Sequence, residues 1–350
     1  MKIAQVSPLF ESVPPRTYGG TERIVHYLTE ELVHQGHEVT LFASGDSQTS
    51  AELRSVTPEA LRLGNKCRDV MTWHTLQLAT VAQEAEDYDI IHFHTDFFHF
   101  PLWRQMYVPQ VTTLHGRLDL PDLPAVYTEF QDMSVISISD SQRLPLPMAY
   151  WAGTVYNGTP KDLYDFESKA GSYFAFLGRI SPEKGVEVAI KIALQTGVPL
   201  KIAAKIDSFD QPYFDTCIRR QLEHPLIEYI GEVNEHEKNE LLGGALALLF
   251  PIDWPEPFGL VMIEAMACGT PVIAYRHGSV PEVMADGVTG YIVANLDEAL
   301  AAVERIEAID RRACRRHFEN YFTAQHMAED YLQIYDAQTD PHIASHLAVG

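Results

Sequence analysis

The run Pro251-Ile252-Asp253-Trp254-Pro255-Glu256-Pro257-Phe258-Gly259-Leu260-Val261-Met262-Ile263-Glu264 sets two glutamates in one largely apolar segment. Prolines on both sides of Glu256 keep it out of a helix, and Gly259 admits close backbone approach at the positive end of the helix that follows. Glu264 falls inside that helix, about a turn and a half past its start. Carboxylates so placed accept hydrogen bonds from vicinal hydroxyls. The plainer alternative makes Glu256 a loop charge and Glu264 a structural carboxylate that needs only one buried donor.

A second cluster is Phe176-Leu177-Gly178-Arg179-Ile180-Ser181-Pro182-Glu183-Lys184-Gly185, after a strand and before a helix. Arg179 and Lys184 flank a tight Ser-Pro turn, so their charges can converge on one anion, while Gly178 permits close backbone approach. Read singly, both are surface charges. Directly after a strand, in an acidic chain with few cations, an anion site is the better reading. Tyr18-Gly19-Gly20-Thr21-Glu22-Arg23 puts two glycines before a helix N-terminus, which is either a cradle for anions and hydroxyls or a plain helix start. It lacks the Gly-x-Gly-x-x-Gly spacing and acidic partner of a nicotinamide-binding turn, which demotes a dehydrogenase.

Thr112-Thr113-Leu114-His115-Gly116 ends a strand in His115. A lone histidine is more often a hydrogen-bonded core residue than a catalyst, but at a strand end it is a candidate for positioning substrate rather than a general base. His92, His94 and His99, with Asp96, crowd the loop after another strand. Alternation puts His92 and His94 on one side of it, which opens a two-histidine metal site, yet no third ligand stands at a fixed spacing. A polar wall on one side of a substrate cleft is the preferred reading.

These groups need a scaffold, and 350 residues suit two domains of roughly 150 to 180 residues each. Apolar runs predict strands at Lys2-Val6, Glu38-Phe42, Ile90-Phe93, Gln110-Leu114 and Val135-Ile138, with helices at Thr21-Gln35 and Thr72-Ala85. After the polar stretch Asn157-Gly171 the pattern restarts, with strands at Tyr173-Leu177, Leu200-Ala204, Ile227-Ile230, Ala247-Phe250, Val272-Ala274 and Tyr291-Val293 and a helix at Val186-Gln195. Strands so interleaved require right-handed crossovers and parallel sheets. The expected class is therefore α/β, two doubly wound domains at 1-157 and 173-323 with a linker at 158-172, and ligands at the carboxyl ends of the strands. Residues 324-350 hold a last helix, about Ala324 to Ala337, with no strand after it, free to return to the first domain, and a tail.

A formal charge of -22 argues against nucleic acid and weakens docking on anionic lipid. The basic cluster Arg311, Arg312, Arg315 and Arg316 reads as a solvated helix face or an inter-domain contact rather than a lipid or phosphate site. The start, Met1 to Ser7, lacks the apolar core of a signal peptide, and no stretch approaches the ~20 apolar residues of a membrane span. Cys67, Cys217, Cys268 and Cys314 form no Cys-x-x-Cys pair and read as reduced, buried thiols rather than disulfides or zinc ligands. A cytoplasmic protein is expected.

The Glu-x7-Glu pair Glu256 to Glu264 resembles the signature of the retaining glycosyltransferases of family 4, the group 1 glycosyltransferases. These have the GT-B fold, two Rossmann-like domains facing each other across a cleft. The Arg179 and Lys184 loop is similar to the family's Gly-Arg-x-x-x-x-Lys-Gly, the Gly19-Gly20 turn to its N-domain glycine loop, and His115 to its sugar-contacting histidine. Ile138 to Gln142, Val155 to Gly158, Gly278 to Val283 and Asp286 to Tyr291 match further segments in family order. The resemblance implies that Glu256 holds the hexose hydroxyls and Glu264 the ribose. It further implies that Phe258, Gly259 and Leu260 present backbone N–H groups to sugar and distal phosphate, and that Arg179 and Lys184 bind the diphosphate. Gly19, Gly20, Gly178 and Ile230 complete the donor set, and Glu256, His115, Arg179 and Lys184 carry the chemistry. No metal or other cofactor is implied.

The implied partners are a UDP- or GDP-hexose donor, UDP-glucose being the commonest, and a sugar or small-molecule hydroxyl acceptor. The donor would sit mainly on the C-terminal domain and the acceptor on the N-terminal one, with closure excluding water. Lys205 departs from the family, where many members have Gly, and Phe209 to Arg220 has no counterpart to carry over. The competing readings are a GT-B phosphorylase, a sugar-nucleotide epimerase and a non-catalytic nucleotide-sugar sensor.

Overall fold

Short β-branched and apolar runs become buried strands, and the amphipathic stretches between them become crossover helices, so both halves fold as parallel sheets with helices on their faces. The computed structural model describes residues 1–16, 19–62 and 67–340. The chain divides into two units, Met1–Gly158 with the residues from Ala324 onward, and Thr159–Thr323.

Unit 1 contains β1 (Lys2–Val6), β2 (Glu38–Phe42), β3 (Glu52–Arg54), β4 (Ile90–Phe93), β5 (Gln110–Thr113), β6 (Ser134–Ser137) and β7 (Tyr150–Thr154). They form one parallel sheet in the order β3-β2-β1-β4-β5-β6-β7. Helix α1 (Gly20–His34) follows β1 and α2 (Val70–Gln83) precedes β4. Strands β3 and β7 are absent from the sequence expectation. The first is a three-residue edge strand of sequence Glu-Leu-Arg, too short and polar to show a period. The second contains Gly153, where a Cβ would stand 2.6 Å from the Ile334 side chain, and its pairing with β6 shifts register between Val135 and Ile136.

Unit 2 contains β8 (Phe174–Arg179), β9 (Leu200–Lys205), β10 (Ile227–Gly231), β11 (Ala247–Phe250), β12 (Val272–Tyr275) and β13 (Gly290–Val293), parallel in the order β10-β9-β8-β11-β12-β13. Its helices include α3 (Val186–Thr196), α4 (Glu235–Gly243), α5 (Leu260–Ala267) and α6 (Arg311–Tyr321). The segment Phe209 to Arg220 forms a helical turn at Gln211–Tyr213 and a π-helical turn at Phe214–Ile218. The last helix, α7 (Ala324–Thr339), packs in unit 1 against α1, β4 and β5 and buries Met327, Ala328, Tyr331 and Tyr335.

The stretch 159–172 is built into unit 2, and the arginine cluster is the reason. Helix C-termini leave carbonyls without partners. Arg311, 6 % exposed, donates to the carbonyls of Glu167, Gly243 and Ala245 at 2.7–2.9 Å. Arg315 donates to those of Lys161, Tyr164 and Ala267, each at 2.8 Å. The expectation of a solvated face or inter-domain contact is thereby corrected for these two residues. Their guanidinium forks satisfy the ends of α4 and α5 and clamp the 161–167 segment. Thr159 and Thr323 form a parallel bridge where the chain enters and leaves this unit. Cys268 and Cys314 are buried thiols as expected, whereas Cys217 is exposed and Cys67 half-buried, which corrects the expectation for those two. Among the described residues no helix is long and apolar enough to cross a membrane.

Candidate active site

In a doubly wound sheet the crevice opens where strand order reverses, beyond the carboxyl ends of the two central strands. In unit 2 these are β8 and β11, and both chemistry-bearing loops leave from them. The loops are joined to each other. Asp253 N–H donates to the Glu183 carbonyl at 2.8 Å. Gly185, at φ 72, lies so near that a Cβ would sit 2.0 Å from the Pro251 carbonyl oxygen, so only glycine fits. That close approach brings Lys184 onto Glu256. The two form an ion pair through Nζ and Oε2, Trp254 Nε1 donates to the same oxygen at 2.8 Å, and the ammonium stands 5.0 Å from the indole centre.

The Glu256 loop is braced from behind. Ser279 N–H donates to the Glu256 carbonyl at 3.0 Å and Ser279 Oγ to the Phe258 carbonyl at 2.7 Å. Phe258 is buried, and Gly259 at φ 80 caps α5, so the first N–H groups of α5, from Leu260 on, begin at the end of the loop. Glu264, one helix turn deeper and buried, accepts from Lys238 Nζ at 2.8 Å and from the Tyr164 hydroxyl at 3.1 Å. Arg179 ends β8 in the midst of carboxylates: it pairs with Glu183, with Asp210 at 3.3 Å and with Asp207 at 3.8 Å. Burial holds the Asp210 carboxyl above its ordinary value against the pull of Arg179. Lys205 joins this group through Asp207 at 3.0 Å. Gly178 has nothing within 4 Å of where a Cβ would be, so its α-carbon borders open space. Ile230 lies in the edge strand β10, 38 % exposed.

In unit 1, Gly19 and Gly20 open α1 beyond the end of β1, and a Cβ on Gly19 would meet Pro15 at 2.8 Å. Tyr18 lies outside the described residues. His115 follows β5 and belongs to a buried polar network. His94 Nδ1 is 2.8 Å from His115 Nε2, and His94 Nε2 is 2.8 Å from Gln5 Oε1. Gln5 Nε2 reaches the Tyr335 hydroxyl at 3.1 Å, and that hydroxyl reaches His92 Nδ1 at 2.6 Å. His92 Nε2 and the Tyr331 hydroxyl meet at Thr113 Oγ1, at 2.7 and 3.0 Å. Burial holds the rings of His92 and His94 well below the ordinary imidazole value, and pushes His99 and His115 down to about 3. Both ring nitrogens of His92 and of His94 are thus committed to protein partners. Among the described residues no group of three or more His, Cys, Asp or Glu is set to hold a metal ion.

The model of the glycosyl transferases group 1 matches residues 166–322, and that of glycosyltransferase family 4 matches residues 18–148. The chain belongs to the group 1 glycosyltransferases. An uncharacterized glycosyltransferase of Methanocaldococcus jannaschii is 26 % identical over 96 % of this chain and 98 % of its own length. Two solved structures show the GT-B fold of this glycosyltransferase. AviGT4, involved in avilamycin A biosynthesis, has a TM-score of 0.75 at 23 % identity, covering 97 % of this chain and 98 % of its own. HepE of Anabaena, in complex with UDP-glucose, has 0.73 at 18 % identity, covering 96 % and 100 %.

Within the glycosyltransferase, the structure brings Lys184, Glu256 and the start of α5 together in unit 2 and ties Glu264 to Lys238. Sequence reasoning passed over Trp254, Lys238, Tyr164 and Ser279 as site residues. Trp254 stands two positions before Glu256 in a proline-stiffened loop, which was a usable signal. Lys238 sits mid-helix among charged neighbours and gave none.

Proposed function

We propose that this glycosyltransferase moves a hexose from a UDP- or GDP-sugar, UDP-glucose first, to a hydroxyl of a sugar or small-molecule acceptor, with retention and without a metal ion. The observation that carries this reading is the Lys184–Glu256 ion pair beside the N-terminus of α5, at the point of unit 2 where strand order reverses. Each partner holds the place of a donor group. A diphosphate oxygen takes over Lys184, and sugar hydroxyls take over Glu256. Arg179 makes the same exchange from Glu183, Asp207 and Asp210.

Arg179, Lys184 and the helix N-terminus then stabilise charge developing on the departing diphosphate, work that a metal ion does at other sites. The bond from the anomeric carbon to the diphosphate oxygen breaks, and the acceptor oxygen bonds that carbon from the same face. The acceptor's proton passes to the departing phosphate oxygen. Glu256 stabilises positive charge at the anomeric carbon, Glu264 receives the ribose hydroxyls with its carboxylate held by Lys238 and Tyr164, and His115 positions a substrate hydroxyl. The HepE complex with UDP-glucose supports UDP as the nucleotide and glucose as the sugar to try first.

The test is incubation with radiolabelled UDP-glucose and GDP-mannose, in the presence of a chelator, over a panel of glycoside acceptors, with product anomeric configuration read by NMR. Transfer with retention is the expected result, and inversion or an absolute need for a divalent ion overturns the reading. Donor consumption that requires free phosphate identifies a phosphorylase, interconversion without acceptor an epimerase, and binding without turnover a sensor.

A further inference from the structure

The buried network of unit 1 has a direction, and one amide sets it. Gln5 Nε2 donates to the Tyr335 hydroxyl at 3.1 Å, which leaves Gln5 Oε1 to accept from His94 Nε2 at 2.8 Å. A proton therefore sits on His94 Nε2. Burial keeps that ring neutral, so His94 Nδ1 carries a lone pair, and the proton at its 2.8 Å contact comes from His115 Nε2. His115 is neutral as well, so the lone pair of its ring falls on Nδ1. On the other side, the Tyr335 hydroxyl accepts from Gln5 and donates to His92 Nδ1 at 2.6 Å. Turning the Gln5 amide over reverses every proton in this chain and makes His115 an Nδ1–H donor.

We propose that Gln5 and Tyr335, acting through His94, hold His115 in the Nε2–H tautomer, so that it offers Nδ1 to substrate purely as a hydrogen-bond acceptor. An acceptor selects a hydroxyl and rejects a phosphate or carbonyl oxygen, which has no proton to give. Gln5 and Tyr335 are positioning residues drawn from the first strand and the last helix of the chain. The proposal rests on the assignment of His115 to substrate, and its two halves separate under test.

The experiment uses the full chain with nitrogen-labelled histidine, reading each ring's tautomer from long-range nitrogen–proton correlations, with His115 assigned by its loss in His115→Gln. His74 is an internal control: its Nδ1 donates to the Val70 carbonyl at 2.8 Å and its Nε2 accepts from Leu9 N–H at 3.3 Å, which fixes the opposite tautomer outside the network. The expected wild-type result is Nε2–H at His115 and Nδ1–H at His74. In Gln5→Leu and in Tyr335→Phe, His74 is unchanged while His115 becomes a mixture. The apparent donor or acceptor KM then rises roughly two- to fivefold with kcat little altered, because the competent fraction falls. An Nδ1–H wild-type His115, or an unmoved His115 in either variant that keeps the His74 pattern, overturns the proposal. If the tautomers behave as stated but His115→Gln transfers sugar at the wild-type kcat/KM, the proton arrangement stands and the assignment of His115 to substrate falls.

Discussion

Lys184 and Glu256 neutralise each other in the free protein, with Trp254 holding the carboxylate from a second side. On the proposed assignment, removing either leaves the fold but takes one fixed charge from the reacting centre. Lys184→Ala and Glu256→Ala are each expected to lower kcat by about 10²–10³ with an unchanged circular dichroism spectrum, and near-normal transfer by either removes it from the chemistry. The buried histidines make a separate prediction. His92, His94 and His99 are held neutral by burial, all below the ordinary value and His99 at about 3. Below a pH of about 6.5 the unfolded chain binds protons that the folded rings refuse, so stability falls as pH falls, by up to about 1.4 kcal/mol per pH unit for each ring. Calorimetry near about pH 7.5 and about pH 5.5 checks this through the unit 1 transition, and equal stability at both values would refute it.

Loops and helix ends decide where those residues stand. Gly278, at φ 54, is pressed so closely on the neighbouring loop that a Cβ would lie 2.3 Å from both the backbone N and O of Glu256. Gly278→Ala therefore displaces Glu256 without touching substrate. It is expected to cost about 1–3 kcal/mol of unit 2 stability from the positive φ alone and to lower kcat/KM at least about tenfold, read by denaturation and initial rates. The legible parts of the sequence were local ones. The apolar runs of β1, β2, β4 and β11 announce themselves within a few residues, and the Pro-Glu-Pro-Phe-Gly-Leu junction marks a loop, a glycine cap and a helix in order. What stayed hidden depends on partners far along the chain: Arg311 and Arg315 on the carbonyls of other helices, Lys238 on Glu264, Gly278 on Glu256. None of these pairings has a period or spacing, since each is fixed only once the sheets have formed.

For the molecule as a whole, the decisive fact is that unit 1 is discontinuous. Its last helix buries Tyr331 and Tyr335 completely and supplies two hydroxyls to the histidine network. A chain ending at Thr323 loses those contacts from unit 1 and keeps every residue of unit 2. Burial of a large side chain is worth about 1.5–3 kcal/mol, so removal of two tyrosines and Met327 strips most or all of the margin of a typical domain. Calorimetry of this truncation should retain the unit 2 transition and lose or sharply lower that of unit 1. Loss of both transitions together would show that the units do not fold independently.

The same discontinuity sets an order of events during synthesis. The chain leaves unit 1 at Gly158 and returns to it only at Ala324. At about 5–20 residues per second, a ribosome spends roughly 10 to 30 seconds making unit 2 while the first sheet waits without its closing helix. Through that interval Gln5, His92 and Thr113 lack the hydroxyls of Tyr335 and Tyr331. The nascent protein has both residues of its Lys184–Glu256 ion pair before it has all those of its histidine network.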